Sequence, residues 1–141
     1  MVPFKSRTAT PEQLEEAKRI FADKEHANFH EWVYARELIL LQNLPQEYPV
    51  PVHTLRVNDL GIAGLHGEVF VEIGLDIKER SPFPQTMVIG LANGSTGYIA
   101  TDKALDEGSS ETRLCRYVRS PKGTGKLWAD TAVNVFKEMK G

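Results

Sequence analysis

The stretch GIAGLHGEVFVEIGLDIKERSPFPQTMVIGLANGSTGY, residues 61–98, carries the pattern that decides the predicted fold class. It opens with an apolar strand that ends at His66-Gly67. A segment with helical spacing of apolar residues follows from Glu68 to Arg80, and a continuous apolar run, typical of a central strand, occupies Thr86–Ala92. Two strands joined by a helix predict helices packed on a small mixed sheet, in an α+β or α/β fold.

Residues on either side of this stretch predict further helices and a hairpin. Thr10-Pro11-Glu12-Gln13 combines an N-cap hydroxyl, a proline at the first helical position and a capping-box glutamine. Asn28 to Glu31 repeats the pattern of cap and acidic third position, and Trp128 to Met139 has the apolar period of a last helix. Asn58-Asp59 is a turn pair that predicts a hairpin, and Pro51 favours an edge position for its first arm.

The composition bounds the class of protein. The chain has 141 residues, which predicts a single domain over residues 1–141, with 41% hydrophobic and 26% charged residues. The net charge is −2 without a basic stripe, so no nucleic-acid partner is expected. One cysteine excludes an internal disulfide, and no apolar run approaches the roughly 20 residues that span a bilayer. The N-terminus shows no apolar run of a signal peptide, which favours a cytoplasmic location.

Two oxygen-bearing side chains follow neighbouring strands and are candidate metal ligands. Glu68 stands where a strand ends and the predicted helix begins, and Tyr98 stands in a glycine-rich loop after the next strand. Because ligands of open α/β sheets bind at the carboxyl ends of the strands, a carboxylate and a phenol can meet there and bind Zn²⁺. The alternative interpretation is structural: Glu68 complements the helix dipole, and Tyr98 packs its ring in a loop.

Five separated motifs resemble the later part of the catalytic domain in the neutral/alkaline (non-lysosomal) ceramidase-like family. They are Tyr34–Glu37, Gly67–Phe70, Met87–Asn93, Gly97–Thr101 and Glu111–Leu114. Their order and their gaps match those of the family, and the resemblance covers most of the chain from about Thr10 onward. The resemblance implies half of a ceramidase-like domain, with Zn²⁺ as cofactor and an amide or lipid-like substrate.

The resemblance also implies which residues act and which are missing. It makes Glu68 and Tyr98 zinc ligands, whereas the other two ligands of the family are histidines from an N-terminal half that this sequence does not contain. His66 stands where the family commonly has proline, and Ser110 stands where it has a second tyrosine that helps to hold the substrate. Because catalytic zinc usually has three protein ligands, two oxygens form an incomplete site.

The four histidines of the chain differ as candidates for the missing ligand. His66 is two residues from Glu68 and predicts a three-ligand site with Glu68 and Tyr98; the alternative is that it only fills a turn. His26 and His30 are four apart but straddle a predicted helix start, and His53 lies on the predicted edge strand, which favours solvated positions.

Two hypotheses for the function follow. In the first, the chain is a ceramidase-like zinc amidase remnant or subunit that is not catalytic alone, and a complementary chain or His66 completes its metal site. In the second, it is a non-catalytic homo-oligomer or interaction module, because half of a domain exposes apolar surface that self-association can bury.

Overall fold

The computed structural model describes all 141 residues, in five helices and seven strands. The helices are α1 (Pro11–Ala22), α2 (Phe29–Leu41), α3 (Val71–Arg80), α4 (Asp102–Glu107) and α5 (Thr124–Lys140). The strands are β1 (Val2–Lys5), β2 (Glu47–Val50), β3 (Val52–Val57), β4 (Leu60–Leu65), β5 (Glu68–Val69), β6 (Gln85–Ile89) and β7 (Tyr98–Ile99). None of the helices is both long enough and apolar enough to cross a membrane.

The strands form three small sheets. They are the antiparallel pair β1–β2, the parallel pair β5–β7 and a three-stranded sheet with the order β3-β4-β6. In that sheet β4 runs antiparallel to β3 and parallel to β6, and α3 makes the crossover between the two parallel strands. The predicted α+β class with a small mixed sheet is therefore confirmed.

The hydrophobic core lies between one face of this sheet and helices α3 and α5. Trp128 and Phe136 of α5 are completely buried, and the ring of Phe136 meets the ring of Phe83 edge-on at 5.5 Å. Ala63 and Leu65 face them from the central strand β4. The helical spacing predicted for the last helix places these residues correctly, because positions four and eight apart share a face.

Helices α1 and α2 form a hairpin whose caps agree with the prediction. The Thr10 hydroxyl accepts from Gln13 N at 3.2 Å, while Thr10 N donates to the Gln13 side chain at 2.9 Å. The Asn28 side chain accepts from the backbone N–H of His30 at 2.9 Å. Each cap satisfies N–H groups that a helix start leaves unpaired, so local sequence suffices to fix both starts.

Ion pairs join this helical hairpin to the segment 111–119. The Glu37 carboxylate, only 8% exposed, accepts from Arg116 Nε at 2.6 Å and Nη2 at 3.0 Å, and also from Arg36. The hydrogen bonds from Arg116 are the largest cause of the lowered pKa of Glu37. Arg113 donates to both oxygens of Glu31, at 3.0 and 2.6 Å. Bidentate pairs of this kind fix orientation as well as distance.

The prediction of one helix from Glu68 to Arg80 is wrong at its start. Helix α3 begins at Val71, and Glu68-Val69 form the strand β5 instead. The cause is pairing with a segment about thirty residues further along the chain: Glu68 N donates to Gly97 O and Phe70 N donates to Ile99 O, both at 3.0 Å. These backbone bonds hold the segment extended, so Glu68 does not lie in the first turn of a helix.

The apolar run Thr86–Ala92 was predicted as a central strand, and this is also wrong. Its strand, β6, ends at Ile89 and lies at an edge of the sheet, while β4 is central. Only Val88 of its apolar residues packs against the core, and Met87 and Ile89 remain 49% and 44% exposed. The helices cover one face of the sheet, so alternate residues of the run face solvent.

Candidate functional site

The two predicted ligands, Glu68 and Tyr98, are direct partners in the parallel pair β5–β7. Residues opposite each other in a ladder direct their side chains to the same face of the sheet, so the carboxylate and the phenol stand side by side. The backbone of Tyr98 is also held by a second segment, since its N–H donates to Tyr117 O at 2.7 Å. The structure therefore brings these two residues together.

The electrostatics of Tyr98 report the same proximity. The pKa of its phenol is raised above its usual value, first by a hydrogen bond with the Glu68 carboxylate and second by the negative charge of that carboxylate. The charge of Glu111 adds a smaller effect in the same direction. The protonated phenol is favoured because a phenolate beside a carboxylate is repelled. Without a cation, the phenol of Tyr98 therefore keeps its proton at neutral pH.

Two glycines allow the backbones at this site to approach closely. Gly97 has φ +85°, and a Cβ on it would overlap the carbonyl group of Tyr117. A Cβ on Gly67 would lie 2.8 Å from the carbonyl oxygen of Gly97. The residue directly before Glu68 and the residue directly before Tyr98 must therefore both be glycine, because a side chain at either position would prevent this close approach.

A groove of about 570 Å³ extends from Glu68 and Tyr98 along the outer side of α3. One wall consists of α3 residues at helical spacing: Val71, Gly74, Leu75 and Lys78. The other wall consists of Val88, Gly90 and Leu91, from β6 and the loop after it, and Val69 and Phe70 also line the groove. The arrangement is an apolar channel with two oxygen-bearing side chains at one end.

His66, the third predicted ligand, lies in the bend between β4 and β5. Its carbonyl oxygen accepts from Thr96 N at 2.8 Å and from the Thr96 hydroxyl at 2.9 Å. Its ring packs against Gly94, where a Cβ would overlap the imidazole, and its Nδ1 is buried without a hydrogen-bond partner. No hydrogen bond joins the imidazole to Glu68 or Tyr98, so its role as a ligand stays a prediction.

The other histidines occupy exposed positions on the surface. His26 pairs with Asp23 at 2.7 Å beyond the end of α1, and His30 lies at the start of α2. His53, on the edge strand β3, lies 3.2 Å from the Asn93 side chain. No group of three or more His, Cys, Asp and Glu side chains is arranged to hold a metal ion.

The donor chemistry of the Glu68–Tyr98 pair fits zinc in part. A carboxylate oxygen is an ordinary zinc ligand, and a phenol becomes a strong donor when it loses its proton beside a cation. The pair supplies two donors, whereas catalytic zinc sites usually contain three from protein. The pair can therefore form one side of a metal site.

Sequence reasoning missed two charged residues: Lys78, which lines the same groove, and Glu111, whose charge acts on Tyr98. Lys78 could have been found from its spacing, because it lies seven residues after Val71 on the same face of α3. Glu111 precedes a turn whose contact with Tyr98 depends on the tertiary fold. Its pKa is lowered, first by a backbone hydrogen bond and then by hydrogen bonds with Ser109 and Ser110.

Comparison with known proteins gives no relative for the chain. No family model, no curated protein and no solved structure matches it. The ceramidase-like resemblance therefore stays a prediction from the five motifs.

Proposed function

We propose that this chain provides part of the active site of a zinc-dependent amide hydrolase of the ceramidase-like kind. Glu68 and Tyr98 are two of its metal ligands, and histidines from a complementary chain, or His66, complete the set. The single observation that carries the proposal is the direct pairing of Glu68 with Tyr98 in β5–β7, which places the two side chains on the same face of the strand pair. With two donors the chain is not catalytic alone.

The residues of the chain would have separate roles in metal binding and in substrate binding. A zinc ion held by Glu68 and Tyr98 would supply Lewis acidity, which would polarise an amide carbonyl and make water a better nucleophile at neutral pH. Glu68 contributes negative charge that attracts the cation, and Tyr98 contributes a phenol that gives up its proton when the cation is near. The apolar groove beside them holds the apolar part of the substrate and reduces the access of water to the amide.

Zinc affinity tests this proposal on the purified chain. Calorimetric titration with zinc is expected to show weak binding that falls about tenfold in Glu68→Gln and in Tyr98→Phe, because each change removes one ligand. Glu138→Gln, which alters an exposed carboxylate on α5, is the matched control and should bind zinc like the unchanged chain. Equal affinity in all four proteins would contradict the proposal.

His66→Ala in the same titration separates two versions of the site. A loss equal to that of Glu68→Gln would assign the third ligand to His66. Unchanged affinity would assign the remaining ligands to a complementary chain. In either case, amide hydrolysis is expected only when the ligand set is complete.

A second candidate function is self-association through the outer face of the three-stranded sheet. The rows Leu55–Ile62–Met87 and Val57–Leu60–Gln85 lie on this face, with Ile89 in the next row. Leu55 and Val57 are 60% and 55% exposed, and none of the residues in these rows is charged. An open apolar face of this kind is a candidate interaction site. A second copy can cover it by face-to-face packing of the two sheets.

The mass of the chain in solution tests this second function. The unchanged chain is expected to be a dimer, and Met87→Lys is expected to be a monomer, because a lysine in the middle of the apolar face would be buried without a partner. Val71→Lys, on the exposed side of α3, is the control and should leave the dimer intact. A monomeric unchanged chain at high concentration, by light scattering, would exclude the sheet face as a self-association surface.

A further inference from the structure

One side of α3 has no partner within the chain and forms a wall of the groove beside Glu68 and Tyr98. Val71 and Leu75 on this side are 70% and 56% exposed, while Ile73 and Ile77 on the opposite side are buried in the core. Gly74 lies between the exposed pair, and a Cβ on it would come only within 3.8 Å of Val88. The groove is therefore open at the position where most residues would narrow it.

Lys78 ends this apolar wall. It lines the groove together with Val71 and Leu75, and it stands seven residues after Val71, which corresponds to about 10 Å along the helix axis. Its ammonium group takes part in no ion pair or hydrogen bond within the chain. By contrast, eleven other Lys, Arg and His side chains form ion pairs or lie at hydrogen-bond distance from carboxylates: Lys5, Lys18, Arg19, His26, Arg36, Arg80, Lys103, Arg113, Arg116, Lys122 and Lys126. The groove thus has Glu68 and Tyr98 at one end and the unpaired cation of Lys78 at the other.

We propose that Lys78 binds the anionic end of the ligand that occupies this groove. The ligand class is an amide with an apolar chain of about 10 Å that ends in a carboxylate, with its amide beside Glu68 and Tyr98. The proposal rests on the proposed function for the identity of the amide end, whereas the anionic end follows from the charge and position of Lys78. An uncharged amide would leave Lys78 without a partner, and a cationic end would be repelled by it.

Equilibrium binding in the presence of a metal chelator tests the proposal. The probes are the monoamide of suberic acid, which carries one carboxylate, and octanamide, which has the same chain without the charge. The unchanged chain is expected to bind the monoamide about fivefold more tightly than octanamide, as one partly exposed ion pair allows. This preference is expected to shrink as salt is added.

Variants at Lys78 identify the source of the preference. Lys78→Met keeps most of the apolar stem and should bind both probes equally, whereas Lys78→Arg should keep the preference. Gly74→Leu should weaken both probes by filling the groove, and Gly74→Ala is its control, since a Cβ there meets only ordinary contact. Equal binding of the two probes by the unchanged chain, a preference that survives Lys78→Met, or no binding at the solubility limit would each overturn the proposal.

The metal chelator keeps this test separate from that of the metal site, because the two probes are compared in metal-free protein, whereas the metal site is tested by the zinc titration of Glu68→Gln. If the preference is present but zinc affinity does not depend on Glu68, the metal site fails and the anion site stands. If zinc affinity depends on Glu68 but the preference is absent, the anion site alone fails.

Discussion

Gly97→Ala is expected to destabilise the protein by about 3 kcal/mol or more. The new Cβ would overlap the carbonyl of Tyr117, which is backbone and cannot rotate away. That same carbonyl accepts the hydrogen bond from Tyr98 N at 2.7 Å, so any relief of the overlap also breaks the bond that positions the candidate ligand. The left-handed φ of +85° adds about 1 kcal/mol of backbone strain for a residue with a side chain.

Gly123→Ala is the matched control for this change. Gly123 has a similar φ of +82° in the left-handed region, but a Cβ on it would meet nothing within 4 Å. It should therefore lose only the roughly 1 kcal/mol of backbone strain. Chemical denaturation of the two variants separates the steric effect from the conformational one, and equal losses of stability would show that the contact with Tyr117 does not constrain the site.

Local sequence predicts the parts of the fold that depend on local interactions. Asn58-Asp59 specifies the hairpin turn, and the structure pairs Val57 with Leu60 across it, as predicted. The helix starts at Pro11 and Phe29 follow from their caps in the same way. In each case, the residues that determine the structure lie within a few positions of each other, so no knowledge of the tertiary fold is needed.

The elements that were missed depend on pairing with distant segments. Strand β1 exists because Val2 to Lys5 pair with Val50 to Glu47, more than forty residues away in the chain. Strand β5 exists because the backbone near Gly97 accepts its hydrogen bonds. Short strands of this kind have no pattern of their own, and helical spacing in the following residues dominated the prediction for Glu68.

The candidate site was predicted for a partly different reason from the one observed. The sequence suggested that Glu68 and Tyr98 meet because both follow strands whose ends converge. In the structure they are direct partners in one short parallel ladder, which is a closer arrangement.

Exposure of β6 could not be predicted, since an apolar run shows that a strand can be buried and does not show which of its faces is covered.

A second large effect is expected if the carboxylate of Glu68 and the phenol of Tyr98 act as one unit. The pKa of Tyr98 is raised chiefly by its hydrogen bond with Glu68 and next by the carboxylate charge, so Glu68→Gln should lower it towards the usual value near ~10. In the variant, tyrosinate should therefore form at lower pH than in the unchanged chain. A zinc ion bound to both residues should have the opposite effect from the carboxylate and favour the phenolate.

The most direct measurement is an ultraviolet absorbance titration of tyrosinate, from which the curve of Tyr98→Phe is subtracted to isolate Tyr98. We expect a raised pKa of Tyr98 in the metal-free chain, a lower pKa in Glu68→Gln, and ionisation at lower pH on addition of zinc only when Glu68 is present. A Tyr98 titration that neither Glu68→Gln nor zinc alters would show that the two oxygens are independent and would exclude a shared metal site.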